Sequence, residues 1–177
     1  MLSQFTDEEG RRTLKEFGKF SKDVYPVGRL DMDSEGLLIL TNDKSLTDFL
    51  LDPKNKHEKE YYVQVEGIPN DEALEKLRKG VVIENKKTLP AKVKIIDDPK
   101  FSERVPPIRK RKNIPTSWLS LVITEGRNRQ VRKMTASVGF PTLRLVRVRI
   151  KEITASGIKP GEIRKLTSKE IVDLKHN

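Results

Sequence analysis

The sequence contains no cysteine, and this absence excludes disulfide bonds, thiolate-bound metals and a cysteine nucleophile. Its two histidines, His57 and His176, are too few and too far apart in sequence to indicate a metal site. No stretch approaches the roughly 18 apolar residues of a membrane-spanning helix, and the polar, acidic N-terminal residues differ from a signal peptide. The sequence also lacks a phosphate-binding P-loop and a dinucleotide-binding glycine motif. We therefore expect a soluble cytoplasmic protein that needs neither a metal nor an organic cofactor.

Positive charge is abundant but confined to one part of the chain. Residues 104–151 carry 13 Lys and Arg and a single acidic residue, Glu125, whereas residues 1–103 carry 18 basic and 21 acidic residues. Like charges at this density do not stabilise an isolated protein, and most of them are arginines, whose guanidinium groups match phosphate oxygens. The pattern favours a nucleic-acid partner; a solvated basic face without a partner is the simpler alternative.

The length fits one compact domain, and local patterns predict its elements. Helices are expected from a Thr6 cap to about residue 17, from an Asn42 or Asp43 cap to about residue 51, over 70–79, from an Asn128 cap to Gly139, and after a Ser168 cap. Strands are expected over 37–41, 61–65, 81–84, 91–97, 117–124 and 142–151. The prolines of 99–115 indicate a loop. Because strands and helices do not alternate regularly, we predict an α+β fold with a mixed or largely antiparallel sheet.

The last long strand carries an irregular pattern. From Leu143 to Leu145 its apolar residues occupy odd positions, and from Val146 to Ile150 they occupy even positions. Side chains alternate between the two faces of a strand, so a change of phase predicts a bulge or a strong twist. We place this irregularity near Leu145–Val146.

Two polar segments contain the candidate site residues. In the first, residues 27–36, Asp31 lies two residues after Arg29, whereas Asp33 and Ser34 are expected to make only local turn bonds. In the second, residues 125–134, Arg129, Arg132 and Lys133 lie off the apolar face of the predicted helix, and Arg127 lies in the turn before it. A helix N-terminus flanked by arginines suits an anion, either a phosphate or a carboxylate such as Asp31.

These two segments resemble the RsuA-type pseudouridine synthases. The matching stretches are Tyr25-Pro26-Val27-Gly28-Arg29-Leu30-Asp31 with Asp33-Ser34-Glu35-Gly36-Leu37-Leu38, and Glu125-Gly126-Arg127-Asn128-Arg129-Gln130-Val131-Arg132-Lys133-Met134. Further similarity over 59–69 and 106–119 points to a member that acts on large-subunit ribosomal RNA. The resemblance implies the family's catalytic fold, a bent mixed or antiparallel sheet flanked by helices and loops, with an RNA cleft across the sheet.

The resemblance also implies roles for particular residues. Asp31 matches the catalytic aspartate, Tyr61 the tyrosine that stacks on the target uracil, and Arg132 the basic residue that ion-pairs with the aspartate. Arg29 matches an arginine associated with the RNA around the flipped nucleotide. The RNA-binding residues expected besides Arg29 are Arg109, Arg111, Arg127, Arg129, Gln130 and Lys133.

Similar proteins often begin with a small RNA-binding S4 domain and a strand ending in Asn-Lys-Pro. We therefore expect residues 1–177 to form the catalytic domain, without an S4 domain and without that first strand, and to be a monomer.

The reaction that the resemblance implies breaks the bond from N1 to C1′ of uridine and joins C5 to C1′. It requires a carboxylate, which acts either as a nucleophile at C1′ or as a base on the sugar; the sequence leaves both open. Two alternatives remain at this stage: a non-catalytic RNA-binding or ribosome-assembly factor, and an enzyme that cleaves the N-glycosidic bond with one carboxylate.

Overall fold

A six-stranded mixed sheet forms the centre of the molecule, in a computed structural model that describes residues 2–109 and 111–175. Within these ranges the strands are β1 (Tyr25–Pro26), β2 (Glu35–Gly36), β3 (Leu40–Thr41), β4 (Lys59–Glu66), β5 (Val82–Ile83), β6 (Lys86–Lys87), β7 (Lys92–Ile96), β8 (Thr116–Ile123), β9 (Thr142–Ile150) and β10 (Ile153–Thr154). The α-helices are α1 (Lys44–Leu51), α2 (Asp71–Lys79), α3 (Gln130–Ser137) and α4 (Ser168–Lys175), and short 3₁₀ turns cover Leu14–Phe17 and Pro53–Asn55.

The main sheet has the order β10-β9-β4-β8-β7, in which all neighbours are antiparallel. Strand β2 adds a short parallel pairing to β9, with Glu35 opposite Val146 and Gly36 opposite Arg147. Two further two-stranded sheets are formed by β1 with β3 and by β5 with β6. The prediction of an α+β fold with a mixed sheet is confirmed.

Strand β9 joins the two hydrophobic clusters of the protein. In the first, Val63 and Leu119 from the sheet pack with Leu74 of α2, Met134 of α3 and Leu145 of β9. The second cluster consists of Val27, Ile39, Leu46, Leu50, Ile150, Ile153 and Leu174. Burial of these apolar side chains is the main stabilising term for such a fold. The loop that carries Asp31 follows Val27, which belongs to the second cluster.

Local capping signals locate two helices correctly. The Asp43 carboxylate accepts the backbone N–H of Leu46 at the start of α1, and the Asn70 side chain accepts that of Ala73 at the start of α2. These bonds satisfy backbone donors that have no partner inside a helix. Gly80 ends α2 with a positive φ of 84°.

The helix predicted from Thr6 is absent. Instead, the Asp7 carboxylate accepts the backbone N–H groups of Glu9 and Arg11 and the Arg11 guanidinium, which fixes a turn. Gly10 has a φ of 70°, which interrupts a helical path. Short polar side chains stabilise such turns in competition with helix formation.

Two other predicted caps are displaced by one residue. Arg129, with φ 50°, directly precedes α3, whereas the Asn128 side chain accepts a hydrogen bond from Lys133 Nζ. At α4 the hydroxyl that accepts the N–H of Glu170 belongs to Thr167 and not to Ser168. The strand predicted over 37–41 is also shorter, because only Leu40–Thr41 pairs with β1.

Strand β9 is irregular, but not at Leu145–Val146. Those residues pair regularly with Val63 and Tyr62 of β4, and the register shifts lie on either side, between Glu60 and Tyr61 and between Gln64 and Val65. The change of phase in the sequence has another cause: both faces of the sheet are covered here, so Leu145 and Val146 are both buried although they point in opposite directions.

At Gly36 the backbone of β2 lies close to that of β9. Its φ is 107°, and a Cβ added there would lie 2.2 Å from the carbonyl oxygen of Arg147. We expect Gly36→Ala to lower the free energy of unfolding by at least about 3 kcal/mol, because backbone atoms must move apart. Gly157→Ala is the matched control: φ is 75° but no atom lies within 4 Å of the added Cβ, so only the conformational strain of about 1–2 kcal/mol remains. If urea denaturation gave the same loss of unfolding free energy for both variants, the close approach of β2 to β9 at Gly36 would not contribute to the effect.

Candidate active site

The candidate site is built around the loop that joins Val27 to β2. Both ends of this loop are fixed to the sheet region: the N–H of Val27 donates to Ile39 O (2.8 Å) and the N–H of Leu37 to Arg147 O (2.7 Å). Within the loop the N–H of Ser34 donates to Asp31 O (2.9 Å), which closes a tight turn. The Asp31 side chain is 33% exposed, so its carboxylate is accessible from solvent.

Arg129, at the start of α3, lies across from this loop. Its guanidinium donates to both carboxylate oxygens of Asp33, at 2.9 and 2.8 Å, and its Nη1 is 3.7 Å from Asp31 Oδ2. The hydrogen bond from Arg129 lowers the pKa of Asp33 below its usual value, and that bond likewise raises the pKa of Arg129. A bidentate pair of this kind also fixes the orientation of both groups.

Arg132 is more deeply placed than Arg129, with 12% of its side chain exposed. Its Nη2 donates to the backbone carbonyl of Asp33 (2.6 Å), and its Nε is 3.4 Å from Asp33 Oδ2. Burial lowers the pKa of Arg132, and the charges of Asp33 and, more weakly, Asp31 oppose that shift.

The predicted direct ion pair between Arg132 and Asp31 is therefore replaced by one between Arg132 and Asp33. Arg129 directly precedes α3 and Arg132 lies in its first turn; both contact Asp33, and Arg129 also lies 3.7 Å from Asp31. The expectation that Asp33 makes only local turn bonds is wrong for the same reason, since its partners are nearly 100 residues away in sequence. Ser34 Oγ is buried without a hydrogen-bond partner among the described residues.

The carboxylate of Glu35, in β2 at the end of this loop, ties the loop to arginines outside α3. It accepts two bonds from the Arg144 guanidinium (3.0 and 2.8 Å) and lies 3.3 Å from Arg104. Arg144 also donates to Ser102 O (2.9 Å), and its guanidinium lies 5.6 Å from the centre of the Phe101 ring. The proline-containing loop between β7 and β8 is thus docked against the candidate site. Sequence reasoning overlooked Glu35.

Tyr61 and Tyr62 occupy opposite faces of β4. Tyr61 is half-buried against the first hydrophobic cluster and pairs with Arg147 of β9. The ring of Tyr62 lies 6.1 Å from that of Phe101, on the side covered by the proline-containing loop. Strand alternation produces this separation, and it leaves Tyr61 on the same face as Val63.

The predicted RNA-binding residues do not form one group in the structure. Arg29 and Arg109 are exposed, and Arg29 donates to Gln4 Oε1 (3.2 Å). Arg111 is half exposed and lies 3.2 Å from Glu66. These three arginines present charge to solvent, as an RNA contact requires. The neighbouring Lys110 lies outside the described residues.

The other predicted RNA contacts are bonded to groups of the protein itself. Gln130 is 3% exposed; its Oε1 accepts the N–H of Arg127, and its Nε2 donates to Glu125, so direct contact with RNA conflicts with its burial. Arg127 donates to the carbonyls of Ile83, Lys86 and Lys87 and thereby holds the β5–β6 hairpin. Lys133 donates to Glu84 (2.6 Å).

Within residues 2–109 and 111–175, no three His, Cys, Asp or Glu side chains are grouped so that they could hold a metal ion. His57 is buried, and its Nε2 is bonded to Phe49 O (3.1 Å). In the same part of the chain, no helix has the length and apolar character needed to cross a bilayer.

The sequence matches the family model described as RNA pseudouridylate synthase over residues 1–137. The chain belongs to this family, whose members are isomerases. It is 58% identical over 161 residues to ribosomal large subunit pseudouridine synthase E of Vibrio parahaemolyticus, covering 91% of this chain and 67% of that protein. It is 53% identical to the protein of the same name from Xanthomonas axonopodis pv. citri, covering 90% of this chain and 85% of that one.

More distant similarities agree. Ribosomal large subunit pseudouridine synthase B of Bacillus subtilis is 38% identical, with 99% of this chain and 67% of that protein covered. A crystal structure of a pseudouridylate synthase superposes with a TM-score of 0.77 at 29% identity, covering 92% of this chain and 65% of the other. The predicted fold and family are confirmed.

The ion pairs of Asp33 predict a dependence of stability on pH. Because the folded-state pKa of Asp33 lies below its usual value of 3.8, its charged form stabilises the folded protein at higher pH, and this contribution disappears as pH falls through the folded-state pKa. We expect Asp33→Asn to have a lower free energy of unfolding than wild type at pH 6. The difference between the two proteins should shrink progressively below about pH 4. Urea unfolding of both proteins at several pH values across this range measures the difference. A gap independent of pH would mean that Asp33 stabilises the fold through uncharged contacts alone.

Proposed function

We propose that this protein converts a specific uridine of large-subunit ribosomal RNA into pseudouridine, in the bacterial cytoplasm where ribosomal subunits are assembled. The observation that carries the proposal is the position of Asp31: an accessible carboxylate, 3.7 Å from Arg129, on a loop that Asp33 and Glu35 anchor on both sides. The names of its relatives support large-subunit ribosomal RNA as the substrate.

The chemistry requires Asp31 to be ionised close to the ribose. The N1–C1′ bond breaks, the uracil turns, and C5 joins C1′; the hydrogen at C5 leaves as a proton and N1 gains one, so no electrons or groups are exchanged with a cofactor. Asp31 acts on the sugar either as the nucleophile at C1′ or as a base, and the site supports both routes. Arg129 places a positive charge 3.7 Å from the Asp31 carboxylate, and Arg132 holds the neighbouring Asp33.

The target uridine must leave its stack to reach Asp31, at a cost of a few kcal/mol. Stacking on the ring of Tyr61 offsets part of this cost, by about 1–3 kcal/mol. Exposed basic residues such as Arg29, Arg109 and Arg111 bind the surrounding phosphates. Binding should therefore weaken steeply as salt concentration rises.

The experiment is release of tritium from C5-labelled uridine in an unmodified large-subunit RNA transcript. Pseudouridine formation releases the label to water, whereas a non-catalytic RNA-binding factor releases none. An N-glycoside hydrolase would instead produce free uracil and abasic RNA. Binding without release, or free uracil in the products, would refute the proposal.

A further inference from the structure

Lys59 and Arg147 are two neighbouring cations without an acidic partner. Neither lies within 4 Å of a carboxylate among the described residues, and the Lys59 ammonium makes no hydrogen bond there. Arg147 is 5% exposed; its Nε donates to Leu37 O (2.8 Å), and its Nη2 is buried without a partner in the described part of the chain.

The other arginines of β9 behave differently. Arg144 is paired with Glu35, and Arg149 is paired with Glu58 and Glu60. Among the three arginines of β9, Arg147 thus differs in having no acidic partner in the described part of the chain. Burial and the neighbouring Arg147 charge lower the pKa of Lys59, which means that the folded protein disfavours the charged ammonium.

Strand geometry places this pair beside Tyr61. Lys59 and Tyr61 are two residues apart on β4 and share a face, and Arg147 is opposite Tyr61 on β9. Lys59 is half-buried and keeps some exposure to solvent, whereas Arg147 is buried. A group bound at this position is thus adjacent to a base stacked on Tyr61.

We infer that Lys59 binds a phosphate of the RNA backbone next to the flipped nucleotide, and that Arg147 strengthens the positive potential of this subsite from below. The inference rests on the proposed function, since it takes Tyr61 as the base-stacking residue. A phosphate supplies the negative charge that the protein itself does not provide. It also accepts hydrogen bonds from an ammonium that otherwise has none.

Lys59→Met tests the inference because it keeps the aliphatic stem and removes the charge. RNA affinity should fall about tenfold, and the slope of log affinity against log salt should decrease by about 0.7–0.9, the value for one phosphate contact. The free variant should be as stable as wild type or more stable, because a disfavoured charge is gone. If Lys59 only supports the fold, Lys59→Met should be less stable than wild type and its salt slope should be unchanged. That result would overturn the inference.

Two further variants sharpen the experiment. Lys59→Arg restores the charge and should recover the salt slope. Lys169→Met, on the exposed surface of α4, removes one positive charge elsewhere and should change the slope by much less. Inorganic phosphate should raise the melting temperature of wild type more than that of Lys59→Met. If Lys59→Met lowered turnover at saturating RNA with its salt slope intact, the side chain would act on the base and the phosphate subsite would be wrong.

The outcome is separable from the proposed function. Tritium release by wild type with an unchanged salt slope in Lys59→Met would leave the isomerase intact and reject the subsite. A decreased slope without tritium release in wild type would retain the subsite and reject the reaction.

Discussion

Asp31→Asn is expected to abolish tritium release from C5-labelled uridine while RNA binding persists. Asparagine has nearly the same shape as aspartate, but it is a poor nucleophile and a poor base, so either route through C1′ is blocked. Replacing a group of this kind lowers turnover by at least about 10⁴-fold. The amide retains hydrogen-bonding capacity towards Arg129, so we expect the loop to keep its conformation.

The measurement compares single-turnover release at saturating RNA with affinity in a filter-binding assay. Affinity should change less than about threefold, because Asp31 carries no phosphate contact and removing a negative charge does not weaken RNA binding. Asp33→Asn is the matched control, since it makes the same chemical change two residues away. It should lower turnover partially, because Arg129 and Arg132 lose their orienting carboxylate. Normal tritium release by Asp31→Asn would exclude Asp31 from the chemistry.

Local signals in the sequence were sufficient for several elements of the fold. The caps of α1 and α2 depend on side chains within three residues of the backbone groups they bind, so Asp43 and Asn70 were identified without tertiary information. The β-forming residues of β4 were likewise sufficient to predict a strand around Tyr61–Val65. The prediction of a helix from Thr6 is wrong because the Asp7 carboxylate accepts the backbone N–H of Arg11, and this local bond competes with helix formation.

The partners of Asp33 and Glu35 could not be predicted from the sequence. The arginines that donate hydrogen bonds to these two residues lie 96 to 109 residues further along the chain. The pairing of β2 with β9 and the position of α3 bring them together. The sequence places Arg129 and Arg132 three residues apart near the start of the predicted helix, but it does not show which of them approaches Asp31. The inward direction of Gln130 depends on Glu125 and Arg127, which fold back over the start of α3.

Arg132→Ala is expected to lower turnover by about 10²-fold with little loss of RNA affinity. The side chain is nearly buried and holds both the carbonyl and the carboxylate of Asp33. Its removal loosens the turn between Asp31 and Asp33 and takes a positive charge away from the candidate site. A displacement of about 1 Å at a reacting group is sufficient for a loss of this size.

Arg109→Ala provides the matched comparison, because it removes the same side chain from an exposed loop position. It should weaken RNA binding and lower the salt slope while turnover at saturating RNA remains normal. Arg132→Lys keeps the charge but cannot make both contacts with Asp33, so its turnover should lie between those of Arg132→Ala and wild type. Near-normal turnover in Arg132→Ala, with a severe loss in Arg129→Ala, would assign the electrostatic support of Asp31 to Arg129, the arginine 3.7 Å from its carboxylate.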